Sequence, residues 1–124
     1  MKVIEVIIAM IFCHIIADYN LQGWMASAKQ KSWWEENAPD YMYRYDYLAA
    51  LFMHSFGWSF LIMIPIFILS GFTVTPLMAV SFAINTAIHM FVDNLKANAH
   101  KINLIQDQAC HIIQIVATAL LFTI

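Results

Sequence analysis

Apolar residues fall into four long blocks separated by polar interruptions, covering about residues 3–18, 45–69, 75–97 and 103–122. None alternates with a period of two, so each block predicts a helix and not a strand. The last three reach the roughly 20 residues a helix needs to cross a hydrocarbon layer. The first is shorter and would span by tilting, with its end covered by neighbours. Gly71 and Pro76 mark a tight turn between the second and third blocks, the glycine ending one helix and the proline opening the next. Pro65 falls inside the second block, where it predicts a kink. The expected fold is all-α: a four-helix transmembrane bundle forming one integral membrane domain over residues 1–124.

Composition strengthens the membrane reading. Of 124 residues, 62% are hydrophobic and 11% charged, against roughly 45–50% and 25% in an average soluble domain. A chain this small cannot bury that much apolar surface within itself. Residues 1–17 resemble a signal peptide in length, but Glu5 lies in the charged region and no small-x-small cleavage site follows. The expectation is a retained first helix. Net charge is −2, which leaves no basic footprint and excludes nucleic acid as a partner. The expected partners are membrane lipids, with a homo-oligomer as a further expectation.

The sizeable polar stretch, residues 19–44, mixes Trp24, Trp33, Trp34, Tyr41 and Tyr43 with Lys29, Lys31, Glu35, Glu36 and Asp40. Amphipathic aromatics and charges together suit the headgroup layer, so this is read as an interfacial aromatic-rich loop. Residues 21–34 predict a short helix lying on the membrane surface. Lys29, Lys31 and Arg44 in this loop, with Lys96 and Lys101 around the third interruption, predict that both face the cytoplasm. Both termini would then lie outside the cell (inner) membrane.

Candidate chemistry is concentrated in three histidine–aspartate pairs, each four residues apart: His14 with Asp18, His89 with Asp93, and Asp107 with His111. On a helix that spacing puts both side chains on one face, and ionisable groups inside apolar spans are costly and usually functional. At 1.5 Å per residue, His89 and His111 lie roughly 12 Å below the cytoplasmic edge and His54 roughly 14 Å. Asp93 and Asp107 lie roughly 6 Å deep, as does His14 below Asp18. In each pair the aspartate is the shallower partner. The expectation is a layer of histidines beneath carboxylates, with His14, Asp18, His54, His89, Asp93, Asp107 and His111 as ligands for one or two divalent metals. Nitrogen and oxygen donors suit zinc, the leading choice, or manganese or iron. Lys96, three residues after Asp93, would stand on the cytoplasmic side. Cys13 and Cys110 each precede a paired histidine, point away from its face and read as small core residues. Glu5 lies across the first helix from His14, and His100 reads as a solvated loop residue.

The string His14-x-x-x-Asp18-x-x-x-Gln22, the isolated His54, His89-x-x-x-Asp93-x-x-Lys96 and Asp107-Gln108-x-x-His111 resemble domain of unknown function 3307, small multi-pass membrane proteins of bacteria and their phages. The resemblance covers nearly the whole chain and implies that Gln22, Lys96 and Gln108 belong with the His/Asp set. The motifs are also similar, in kind and without colinearity, to those of the membrane-bound metal-dependent hydrolases, which implies hydrolysis. The leading expectation is metal-dependent hydrolysis of a phosphoester or acyl bond in a lipid headgroup. Asp18 and Asp93 would serve catalysis, and Lys96 and Gln22 would orient substrate. The alternatives are a structural or phage-type membrane factor with a metal or His/Asp network serving stability, and an ion or proton transporter component.

Overall fold

A computed structural model describes residues 2–124; Met1, the first residue of the expected domain and retained N-terminal segment, lies outside the described residues. The described chain is helical, without strands. It comprises α1 (Val3–Ile15), a π-helical turn (Ile16–Asn20), α2 (Met25–Ala28), α3 (Lys31–Asn37), a 3-10 turn (Tyr41–Tyr43), α4 (Asp46–Leu69), α5 (Pro76–Ala97) and α6 (Leu104–Thr123). Among the described residues, four segments are long and apolar enough to cross a membrane: Val3–Asn20, Tyr41–Leu69, Pro76–Ala97 and Leu104–Thr123. The long helices pack in a ring, α1 on α4, α4 on α5, α5 on α6 and α6 on α1.

Helix ends follow local chemistry. Thr75 caps α5 by accepting the Met78 N–H, with Pro76 at its first position. Asn103 and Gln106 exchange reciprocal bonds at the start of α6, a capping box. Gly71, at φ 69°, supplies the left-handed residue that ends α4. α4 runs on through Pro65, whose ring removes one helical donor.

Buried apolar side chains gather in one half of the molecule, where Val6, Met10, Trp58, Ile62, Ile66, Met78, Ile115 and Ala119 form a core. The outward faces are also apolar: Ile8, Phe12, Phe60, Ile84, Phe91 and Ile113 are exposed. A soluble monomer rarely exposes apolar surface this widely, and the pattern fits a membrane protein.

Two expectations change. The first helix does not stay α-helical to residue 18. Its last turn widens, the Leu21 N–H reaching back five residues to Ile16 O at 2.8 Å, and the Gln22 side-chain amide donates to the Asp18 carbonyl at 3.0 Å. Such turns are frequent at functional sites; this one carries Asp18. Residues 21–34 are not one helix either. The chain breaks at Lys29–Gln30 because Asn98, just beyond α5, takes hold of the backbone: its amide donates to Lys29 O at 2.9 Å and its oxygen accepts the Lys31 N–H at 2.7 Å. Trp34 Nε1 donates to Ala28 O, and Trp24, Trp33 and Trp34 pack edge to face over the break.

Replacing Asn98 by Ala removes both clamps. The expected outcome is a loss of about 1–3 kcal/mol in detergent unfolding and faster amide exchange across residues 28–37. Unchanged exchange there would mean that the tryptophan cluster alone seats the segment.

Candidate metal centre

The four long helices each bring one histidine to a single buried layer. The rings form a chain: His54 to His89 at 5.2 Å between centroids, His89 to His111 at 4.0 Å, and His111 to His14 at 5.8 Å. Trp58, one turn after His54, lies flat on His89 at 4.1 Å and edge-on to His14. It forms an apolar floor that a search for ionisable residues does not find.

Asp93 is the central carboxylate. His54 Nε2 and His89 Nε2 lie 3.4 and 3.5 Å from its Oδ2, and His111 Nε2 lies 3.1 Å from its Oδ1. Asp18 Oδ1 joins the first group, 3.2 Å from His54 Nε2 and 3.9 Å from His89 Nε2. Asp107 Oδ1 joins the second, 3.4 Å from His111 Nε2. His54 Nε2 and His89 Nε2 themselves face each other at 3.2 Å. These buried donors form groups that could hold a metal ion: His54, His89 and Asp93; Asp93, Asp107 and His111; and Asp18, His89 and His111.

Gln108 sets the carboxylates. Its amide donates to Asp107 Oδ2 at 3.0 Å and to Asp18 Oδ2 at 3.4 Å, which turns the Oδ1 atom of each toward the histidines. Both Oδ1 atoms are buried without a hydrogen-bond partner among the described residues. Buried acceptors are nearly always satisfied, so a pair left open beside imidazole nitrogens marks a place for something else.

His14 has a different part. The Trp58 N–H donates to its Nδ1 at 2.8 Å, so its Nε2–H donates to Gln108 Oε1 at 2.9 Å. Both nitrogens are engaged, and His14 stands outside the three donor groups. It braces Gln108. Lys96 is 40% exposed with its ammonium 3.9 Å from Asp107 Oδ2, at the mouth of the site. Gln22 lies at the rim, its Oε1 buried and without a partner among the described residues. Cys13 and Cys110 are free and half-buried, and His100 and Glu5 are exposed.

Lys29 belongs to the site although its sequence neighbourhood gave no sign of it. It is only 8% exposed, and its ammonium donates to Asp93 Oδ2 at 2.9 Å. The break between α2 and α3 turns it inward, and a buried lysine is affordable only when paired. Compared with family models, curated proteins and solved structures, the chain matches none. The likeness to domain of unknown function 3307 therefore rests on the spaced motifs alone.

Gln108→Ala frees both carboxylates while touching no proposed ligand atom. Divalent-metal affinity, measured by competition with a chelator, is expected to fall roughly 10–100-fold; unchanged affinity would make Gln108 irrelevant to donor orientation.

Proposed function

We propose that this chain is a membrane-embedded, metal-dependent hydrolase that acts on a phosphoester or acyl bond of a lipid headgroup. Its metal is zinc, held by His54 Nε2, His89 Nε2 and Asp93 Oδ2, with Asp18 Oδ1 at the fourth corner. One observation carries this reading: His54 Nε2, His89 Nε2 and Asp93 Oδ2 lie 3.2–3.5 Å from one another, and Asp18 Oδ1 stands 3.2 and 3.9 Å from the two imidazole nitrogens. A tetrahedral zinc ion with bonds of about 2.0–2.2 Å requires its donors about 3.3–3.6 Å apart. Despite their closeness, neither histidine makes an aligned hydrogen bond to Asp18 or Asp93. The two imidazole nitrogens instead meet each other at 3.2 Å, with both carboxylate oxygens beside them, a crowding of donors that a metal ion would resolve.

A bound zinc ion would supply an acidified water and a Lewis acid for the phosphoryl or carbonyl oxygen. The protein's own groups do the rest. Asp18, 3.9 Å from His89 and on a widened turn, would be the carboxylate that serves as general base toward water. Lys29 offsets the charge of Asp93. Lys96 and Gln22, at the rim, orient the substrate. Trp58 and the apolar core below exclude bulk water from the far side.

The basic residues of the 19–44 segment and Lys96 lie on the site's side of the molecule, which supports a cytoplasmic opening with both termini outside. The aromatic segment over the site then lies at headgroup level, within reach of membrane lipids.

Elemental analysis of detergent-purified protein is expected to find transition metal in the wild type and a large loss in His89→Ala, with hydrolysis of phospholipid or model phosphoester substrates lost in parallel and helicity retained. Absence of metal after reconstitution with zinc, manganese and iron would overturn the reading. Bound metal without turnover on either ester class would leave the centre structural.

A further inference from the structure

Resting on that reading, we infer that the centre takes two metal ions bridged by Asp93, and that it therefore acts on an anionic phosphoester and not on a neutral acyl ester. The two oxygens of Asp93 face opposite groups: Oδ2 addresses His54, His89 and Lys29, whereas Oδ1 addresses His111. A carboxylate divided in this way is a bridge. The second position consists of Asp93 Oδ1, His111 Nε2 and Asp107 Oδ1, at 3.1 and 3.4 Å from the imidazole nitrogen; His111 Nε2 is hydrogen-bonded to Asp93 Oδ1, and an ion there would take the place of that proton.

An open oxygen points to an occupant there, and the ring geometry fits it. Asp107 is 2% exposed, and its Oδ1 has no hydrogen-bond partner among the described residues, while Gln108 holds its other oxygen. In addition, the His89 and His111 rings are stacked at 4.0 Å and only 24° apart. Their Nε2 atoms address the two ends of one carboxylate. Two neighbouring imidazoles addressing opposite oxygens of one carboxylate are the donor arrangement that a two-metal hydrolytic centre would use.

The second position has three protein donors, so it keeps a corner open for water or substrate, as catalytic zinc sites do. Gln114 Oε1, 3.2 Å from His111 Nδ1, accepts a hydrogen bond from that nitrogen and would leave Nε2 to bind the ion once its proton is displaced. Charge identifies the substrate class. Asp18, Asp93 and Asp107 oppose two divalent ions and the Lys29 ammonium, which leaves the centre net positive, with Lys96 adding to this at the mouth. A phosphate group bridging both ions neutralises that excess, whereas a neutral ester does not.

The decisive measurement is metal stoichiometry of full-length protein in detergent after chelator stripping and titration with Mn²⁺, read by elemental analysis and electron paramagnetic resonance. Two equivalents with a spin-coupled signal are expected. Asp107→Asn should retain one equivalent and lose the coupling, and inorganic phosphate should perturb the signal only in the two-metal form. One uncoupled equivalent in the wild type would overturn the bridge and leave the hydrolase reading intact. No bound metal would overturn both. Because the wild-type count needs no variant, failure of Asp107→Asn to fold cannot rescue the inference. Phosphate without effect on the coupled form would overturn the phosphoester assignment.

Discussion

Asp93 is the charge around which the molecule is arranged. It lies within an apolar helix, 5% exposed, where an unpaired carboxylate would be strongly unfavourable. Three elements answer it: α4 with His54, α6 with His111, and the loop after α2 with Lys29. Removing one partner of such a pair strands the other and typically costs about 3–5 kcal/mol. The need to neutralise Asp93 thus extends from one side chain to the seating of the aromatic segment, because Lys29 reaches the site only if α2 ends where it does. Asn98, one turn beyond Asn94, fixes that ending, so the same helix supplies both the charge and the clamp that delivers its counter-charge.

Much of this was legible in the sequence, for a definite reason. Spacing of four within a helix is a local property, so the faces carrying His89 with Asp93 and Asp107 with His111 follow from chain geometry alone. Four apolar blocks fix four long helices in the same way. Lys29 was illegible because its direction depends on Asn98, 69 residues away. Nothing in the composition of the polar stretch distinguishes an inward lysine from a headgroup one. Trp58 was hidden for the opposite reason, as an aromatic residue in an apolar helix carries no mark of the site it floors.

His14 and Asp18 illustrate the limit of spacing as a guide. The pair has the same four-residue separation as the other two, and both residues reach the layer. Spacing reports a shared face; it does not report which atoms remain free. Trp58 and Gln108 fill both nitrogens of His14, so its contribution passes through Gln108 to the Asp18 and Asp107 carboxylates. The π turn then separates the partners functionally: His14 stays with the α1 packing surface, while Asp18 is carried toward His54.

A bridged centre requires α5 and α6 to be held in register, since a slip of one residue would turn Asp107 and His111 by about 100° away from Asp93. A ladder below the site supplies that constraint. Gln114, three residues from His111, donates to both oxygens of Asn85, and Asn85 donates to Thr118, whose hydroxyl returns to Gln114 O. Polar side chains are effective between helices in a membrane because lipid offers them no alternative partner. These groups are uncharged and satisfied mainly by one another, unlike the open oxygens of Asp18 and Asp107. The Asn85–Gln114–Thr118 ladder is thus a closed set that fixes the helices, and the Asp18 and Asp107 carboxylates are an open set that the fixed helices hold incomplete.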